Sequence, residues 1–341
     1  WDEVTQTMGA LSFETVKQAV DNHPDAKALI ITTPTYYGIV ANDLQVQIQY
    51  CHDHNIAVLV DEAHGAHLVA STQFPHSALD FDADIVVQSA HKTLPAMTMA
   101  SFLHIKGVLV DVEKVEHYLR MLQSSSPSYL LLASLDEARA YIGSYKASDA
   151  MYLIEKRRQW IDALKAIPSV HIIESDDPLK ICMRVERYSG AQLQQALEGQ
   201  GVYAELADSQ QVLFILPLLK VGQSYPFAEL RVRIRDAVAN LKKQNPSNLV
   251  TTPLLQIDNI SSPVLSSEEV KKGEKEWVPY MRAIDRIAAA MVIPYPPGVP
   301  LFIPGEKITV NKLSKLEEFL AIDASFQGQH RLHEKKIYVM K

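Results

Sequence analysis

The chain has 341 residues, of which 47% are hydrophobic and 21% charged, a composition typical of a globular protein with an ample core. Its formal net charge of -7 gives no reason to expect nucleic acid or an anionic membrane surface as a partner. No apolar run approaches the roughly 20 residues of a transmembrane helix. Two isolated cysteines, Cys51 and Cys182, do not make a disulfide framework. We therefore expect a cytoplasmic protein.

The first part of the chain alternates between helix and strand patterns. Ser12 is a suitable N-cap for the first helix, and Val16 and Val20 lie four residues apart on one face of it. Helices are predicted at residues 12–22 and 44–54, and strands at 28–32, 57–61, 81–89 and 100–104. The rhythm is that of βαβ units, so we predict a mainly parallel sheet. The strand at 100–104 is of the kind that runs antiparallel.

The second part of the chain is first helical and then mixed. Helices are predicted at residues 112–122, 127–145, 151–167, 191–197 and 227–243, and strands at 170–174, 180–185 and 212–216. The change of pattern at residue 169 predicts two domains, a large α/β domain over 1–168 and a smaller α+β domain over 169–341. The polar stretch 245–267 is predicted to be a connecting segment.

Two apolar runs lead into residues whose side chains can take part in catalysis. One leads into DEAHGAH at residues 61–67, and the other into QSAHK at residues 88–92. Ligands of open α/β sheets bind at the carboxyl ends of the strands, so Asp61 and Lys92 are expected at one edge. A buried lysine amine and a carboxylate are the two groups that pyridoxal phosphate needs most. Spacing alone leaves a structural alternative open, because doubly wound proteins commonly carry acids and lysines at strand ends.

Several segments resemble the bacterial ornithine/lysine/arginine decarboxylases, pyridoxal-phosphate enzymes of the aspartate aminotransferase fold. The resemblance runs in consistent order from residue 34 to residue 306. Its motifs are PTYYG at 34–38, VDEAHGAH at 60–67, QSAHKTL at 88–94, QSSSPSY at 123–129, ASLD at 133–136, YPPGVPL at 295–301 and PGE at 304–306. The set is specific, whereas a lone Ser-x-His-Lys would not be.

The resemblance implies roles for five residues around the cofactor. Lys92 is the Schiff-base lysine, and Asp61 is the partner of the ring nitrogen. Ser89 and His91 flank Lys92 where the family contacts the cofactor phosphate. His64 holds the position where the family places a side chain near the phenolic oxygen of the ring, the alternative being a histidine that is merely satisfied within a turn.

The resemblance also implies a partner subunit. Ser125 and Ser126 resemble a segment that reaches the phosphate of the neighbouring subunit, which predicts a homodimer, or a higher homo-oligomer, with shared active sites. The alternative is that these serines belong to an ordinary loop.

The implied activity is the decarboxylation of lysine, arginine or ornithine to a diamine or agmatine, as in polyamine metabolism. His91 or Lys92 would return a proton to the substrate Cα. The same fold carries other reactions, so an aminotransferase, a desulfurase or an aldolase is the enzymatic alternative. A cofactor-less relative that acts as a scaffold is the non-catalytic one.

Two departures from the family stand out. The phosphate loop at a helix N-terminus and the side chain that stacks on the ring have no counterpart in residues 1–26. Because the chain begins with Trp1, and a domain starting here would expose sheet edges, we expect that the natural chain is longer. Met99 stands where the family has a polar Gln, which predicts altered packing near Lys92.

Three further features of the sequence bear on function. The letters DEAH also spell a helicase signature, but that chemistry needs a P-loop, which the sequence lacks. Metal binding is not predicted, because the spacing H-E-x-x-H and a Cys pair are both missing. The Pro-rich stretch before Glu306 would place this carboxylate near a cationic substrate or, as the favoured interpretation, in a surface loop.

Overall fold

The structure is a computed structural model that describes residues 2, 5–7, 9–243, 261–295, 298–321 and 325–341. It divides into two compact units, Trp1–Ser247 and Asn248–Lys341. The predicted boundary after residue 168 falls inside the first unit, where a second sheet begins, and that division stays a prediction. Among the described residues, none of the helices combines the length and the apolar character needed to cross a membrane.

The first sheet of the first unit is mainly parallel. Its strands are β1 (Ala28–Thr32), β2 (Ala57–Asp61), β3 (Ile85–Gln88) and β4 (Phe102–Ile105), in that order across the sheet. β1, β2 and β3 are parallel, and β4 is antiparallel to β3. Both directions confirm the prediction. β4 starts two residues later than predicted, since the Ala100 carbonyl accepts from the Nδ1 of His91 instead of joining the sheet.

Two helices cover one face of this sheet, and their sequence pattern explains why. α1 (Phe13–Asn22) and α2 (Leu44–Asp53) have the predicted positions, and Ser12 caps α1 by accepting from the Thr15 N–H. Their apolar faces pack in one buried cluster with the strands, including Val16, Leu44 and Val58. Each such fully buried aliphatic side chain contributes about 1.5–3 kcal/mol. The helices and the sheet therefore share one buried core.

Four further helices follow β3 and β4. They are α3 (Ala90–Thr93), which lies between β3 and β4, then α4 (Val112–Leu122), α5 (Tyr129–Gly143) and α6 (Ala147–Lys165). The three long ones confirm predicted helices, with ends shifted by a few residues. α4 buries none of its residues within the chain, although its pattern is strongly amphipathic.

The second sheet of the first unit is antiparallel and confirms the α+β pattern predicted from residue 169. Its strands are β5 (Val170–Glu174), β6 (Lys180–Val185), β7 (Leu206–Ala207) and β8 (Val212–Ile215), in the order β5–β6–β8–β7. The helices α7 (Gly190–Glu198) and α8 (Phe227–Leu241) pack on it around a core that includes Trp160 and Leu193.

The second unit has its own small core. Its elements are α9 (Ser267–Lys272), β9 (Lys275–Pro279), β10 (Val292–Tyr295), α10 (Val310–Ala321), β11 (Ser325–Gly328) and β12 (Lys336–Met340). β9 pairs with β12 and β10 with β11, both antiparallel. Phe302 and Leu316 are fully buried between them. Most of the predicted connecting segment 245–267 lies outside the described residues.

The interpretation of Glu306 as a surface-loop residue is wrong. Its side chain is 5% exposed and forms an ion pair with Lys312 Nζ at 2.5 Å, while Ser261 donates to its other oxygen. A buried carboxylate is stable only when it is paired and hydrogen-bonded in this way. The ion pair accounts for the burial.

Candidate active site

Asp61 and Lys92 lie at the same edge of the first sheet, as their positions in the sequence predicted. Asp61 is the last residue of β2 and lies in register with Thr32 of β1 and Val87 of β3. Lys92 belongs to α3, which begins just after β3. The chain turns at Ser89, whose backbone carbonyl accepts from the Lys92 N–H at 3.2 Å. Adjacent parallel strands thus deliver both groups to one side of the sheet.

The amine of Lys92 contacts a buried histidine. The Nζ of Lys92 lies 3.2 Å from the Nε2 of His64, whose ring packs against Tyr36 with 4.4 Å between ring centroids. Burial lowers the pKa of His64 to about 2, and the positive charges of Lys180 and Lys92 act in the same direction. His64 is therefore a neutral imidazole at physiological pH. An ammonium only donates, so Nε2 accepts while Lys92 is charged.

Two polar atoms of the site have no partner among the residues that the structure describes. When Nε2 of His64 accepts, its proton resides on Nδ1, and this buried N–H has no acceptor. Asp61 is exposed, and only its Oδ1 is used, by the N–H of Ala63 at 3.0 Å. The site therefore contains one enclosed, unsatisfied N–H and one carboxylate oxygen without a described partner.

Glu62 lies in the turn between Asp61 and His64 and anchors it through buried hydrogen bonds. This carboxylate is 1% exposed and accepts from the Ser77 hydroxyl at 2.7 Å, the Ala78 N–H at 2.9 Å and the Gln88 amide at 2.6 Å. Burial raises the pKa of Glu62, against the lowering effect of these donors. Because Gln88 ends β3, Glu62 ties the turn after β2 to the strand that leads to Lys92.

Ser89 and His91, which both precede the lysine in the chain, are half-buried. His91 donates from Nδ1 to the Ala100 carbonyl at 2.9 Å, which fixes the ring and leaves Nε2 for other contacts. Ser89 precedes α3 and its hydroxyl makes no capping hydrogen bond. Met99 is 78% exposed, with a φ of 77°, so its side chain is not packed within this chain.

Among the described residues, no hydrogen bond joins Ser125 or Ser126 to Lys92. Both are exposed in the segment between α4 and α5, where the Ser126 N–H donates to the Ser124 hydroxyl at 3.2 Å. Their predicted role at a neighbouring subunit stays a prediction. Within the described parts of the chain, no three His, Cys, Asp or Glu side chains are grouped as a metal would require.

Sequence reasoning missed three buried residues beside the site. Asp177 accepts from the His67 Nε2 at 3.0 Å, and Lys180 donates to the carbonyl of Tyr36; all three side chains, His67, Asp177 and Lys180, are fully buried. Burial opposes the charge of Asp177, but His67 and Lys180 hold its pKa below the usual range. One signal was present in the sequence: Lys180 opens a strand whose next three residues are apolar.

Comparisons with known proteins identify the family of the chain. The sequence profile of the Orn/Lys/Arg decarboxylase major domain matches residues 4–177, and that of the C-terminal domain matches residues 251–330. The uncharacterized protein YaaO of Bacillus subtilis (strain 168) is 41% identical over 334 residues, 95% of this chain and 68% of YaaO. An arginine decarboxylase of Bacillus anthracis is 33% identical over 345 residues, 97% of this chain and 69% of that enzyme.

A solved structure shows the same fold. The lysine decarboxylase LdcF of Francisella novicida matches 97% of this chain with a TM-score of 0.70 and 20% identity. The chain thus has the fold of LdcF, a mixed α/β fold with a mainly parallel sheet. The chain belongs to the Orn/Lys/Arg decarboxylase family, whose members depend on pyridoxal phosphate. It spans 60% of the LdcF chain and about two thirds of the curated relatives.

Proposed function

We propose that this chain carries the catalytic lysine of a pyridoxal-phosphate-dependent decarboxylase of a basic amino acid. One observation carries the proposal: the Lys92 amine rests against a neutral, buried His64 at the sheet edge where Asp61 presents a carboxylate. Membership of the family supports a carboxy-lyase, and the relative named arginine decarboxylase supports a basic substrate. The choice among lysine, arginine and ornithine is left to experiment.

The residues present fit the cofactor. The open carboxylate oxygen of Asp61 would hold the ring nitrogen in its protonated state, because an adjacent negative charge raises the pKa of a cation. His64, which contacts the Lys92 amine through Nε2, would lie near the phenolic oxygen of the ring, and Lys92 would hold the cofactor through its amine. When bound, pyridoxal phosphate supplies a sink for the electrons released as the bond from Cα to the substrate carboxylate breaks.

Ser89 and His91 are proposed to contact the cofactor phosphate beside Lys92, and His91 is also a candidate proton donor. The Ala100 carbonyl orients the His91 ring through Nδ1, so a protonated His91 presents its second N–H from Nε2. The proton that returns to the substrate Cα would come from this Nε2 or from the Lys92 amine.

A second copy of the chain is proposed to complete the site. Ser125 and Ser126 are flanked by large exposed apolar side chains, among them Leu122 at 83%, Tyr129 at 82% and Leu130 at 72%. An exposed apolar surface of this kind is typical of a protein interface. Burial of α4 and the start of α5 against a partner would carry the two serines toward the neighbouring cofactor phosphate.

The test is product analysis with the full-length protein. Lysine, arginine and ornithine, each labelled at the carboxyl carbon, are supplied with pyridoxal phosphate, and released CO₂ is counted for the wild type, Lys92→Ala and a matched surface variant, Lys106→Ala. We expect CO₂ with one of the three substrates, at least about 10³-fold less from Lys92→Ala, and normal release from Lys106→Ala. A keto acid in place of CO₂ would favour the aminotransferase alternative.

A chemical label identifies the lysine independently of turnover. Reduction of the loaded protein with borohydride, followed by peptide mapping, is expected to fix the cofactor on Lys92. A protein that takes up no pyridoxal phosphate and gives no adduct would support the scaffold alternative.

A further inference from the structure

Lys180 is a buried cation that the proposed reaction does not use. It stands at the start of β6 with a fully buried side chain. Its Nζ donates to the carbonyl of Tyr36 at 2.8 Å and to that of Thr35 at 3.2 Å. Burial of a cation costs several kcal/mol unless its donors are used, so these two carbonyls are strong anchors for the ammonium. Lys180 therefore links the second sheet to the loop that follows β1.

That loop leads directly to the proposed site. The ring of Tyr36 packs on His64 with 4.4 Å between centroids, and the Nε2 of His64 lies 3.2 Å from the Nζ of Lys92. Three successive contacts thus connect the amine of Lys180 with the amine of Lys92. A displacement of the Tyr36 carbonyl would move the surface on which His64 rests.

The loop is shaped to receive Lys180 and its neighbour Asp177. Gly38 has a φ of +86° and its carbonyl accepts from the Asp177 N–H at 3.0 Å. A Cβ at Gly38 would lie only 2.7 Å from the Cβ of Asp177. Backbone without a side chain is needed for this approach, which is the reason for glycine at this position.

The charged and titratable groups that act on Lys180 come from several elements. Asp177, in the turn before β6, lies 3.9 Å away and favours the charged form, as does Glu205 beside β7. Lys92 of α3 disfavours it, and Cys182 of β6 is a buried thiol whose pKa burial raises to about 12. Burial dominates and lowers the pKa of Lys180 to about 8. The ammonium is thus the main form at neutral pH and is lost in mildly alkaline solution.

We propose that Lys180 is a positioning residue, whose buried ammonium holds the Thr35 and Tyr36 carbonyls and thereby fixes His64 beneath the Lys92 amine. This proposal deepens the proposed function, on which its catalytic meaning rests. Charge-assisted hydrogen bonds are roughly twice as strong as neutral ones, so loss of the proton loosens the loop even though a neutral amine still donates.

Hydrogen exchange of the cofactor-free protein tests the anchor without reference to activity. Lys180→Met removes the donors and the charge at similar length. It is expected to raise exchange in residues 33–41 by at least about tenfold, with β2 unchanged. Lys106→Met is the matched control, because it makes the same substitution at an exposed lysine outside the loop. Equal exchange of the loop in Lys180→Met and wild type would overturn the proposal.

A second measurement needs no variant and decides the matter if Lys180→Met loses protection throughout the first unit. Protection factors of wild-type residues 33–41 are followed from pH 7 to pH 9. The proposal expects a several-fold fall centred near pH 8, the region in which Lys180 titrates, with no fall in β2. Parallel behaviour of the two segments would refute it.

Turnover then separates positioning from structure. If the proposed decarboxylation is found, Lys180→Met should lower kcat more than it raises KM and should shift the alkaline limb of the pH profile. Lys106→Met should leave that limb in place. If Lys180→Met loosens the loop but the wild-type protein releases no CO₂, the anchoring role of Lys180 stands and the proposed decarboxylase function is refuted. The two proposals can therefore fail independently.

Discussion

The Nζ of Lys92 and the Nε2 of His64 lie 3.2 Å apart, although 28 positions separate the two residues in the chain. The contact follows from topology, because the turn after β2 and the helix after β3 meet at the carboxyl edge of adjacent parallel strands. Only the lysine of this pair is able to carry a charge near neutral pH. A histidine whose pKa is about 2 is neutral wherever the protein is folded, so it accepts from the lysine without competing for its proton.

Asp61→Asn tests the proposed partner of the ring nitrogen. The change keeps the shape and removes the charge that would stabilise a protonated ring, so we expect kcat to fall about 10²-fold or more. The measurement is CO₂ release at saturating cofactor. Asp53→Asn, at the end of α2, is the matched control and should behave as wild type. Full activity of Asp61→Asn would contradict the assignment.

The depressed pKa of His64 predicts a pH-dependent stability. The unfolded histidine takes up a proton near pH 6.5, whereas the folded one does not until the pH approaches 2. The unfolded state therefore binds more protons between these values, and stability falls as the pH falls. The contribution of His64 to this loss is about 1 kcal/mol between pH 6 and pH 5.

Urea unfolding of wild type and His64→Gln at both pH values measures that contribution. Glutamine does not titrate, so the free energy of unfolding of the variant should fall by about 1 kcal/mol less than that of the wild type over this interval. Parallel losses in the two proteins would show that His64 is protonated normally in the folded state.

Glu62→Ala is expected to destabilise the first unit. Its removal leaves the Ala78 N–H and the Gln88 amide buried without their acceptor, which costs about 2–3 kcal/mol in total. Urea unfolding provides the measurement, and Glu137→Ala on the exposed side of α5 is a control expected to change little. An unchanged midpoint for Glu62→Ala would mean that other acceptors replace the carboxylate.

Leu122→Asp tests the proposed contact between two copies. A carboxylate in a buried apolar interface is strongly unfavourable, so the variant should sediment as a monomer and bind pyridoxal phosphate more weakly. Val46→Asp, at an exposed apolar position of α2, is the control and should keep the assembly of the wild type. A dimeric Leu122→Asp protein would place the interface elsewhere.

Local patterns were sufficient for much of the architecture. β1 has the predicted bounds, Ala28–Thr32, because a short β-branched run between polar residues is a strand in almost any context. Ser12 caps α1 because its hydroxyl needs only a partner three residues away. The same holds for Asp61 and Lys92, whose places at strand ends follow from chain order alone.

What the sequence determined by itself was therefore the helices and strands, which depend on interactions between near neighbours, the mainly parallel sheet, which follows from the order of those elements, and the family motifs, which are read directly from the residues. Only the tertiary structure decided that Glu306 is buried against Lys312, that His64 is neutral, and that Lys180 reaches the Tyr36 carbonyl from 144 positions away. Burial and charge at a side chain are set by residues distant in sequence, and no local pattern encodes which of them will meet.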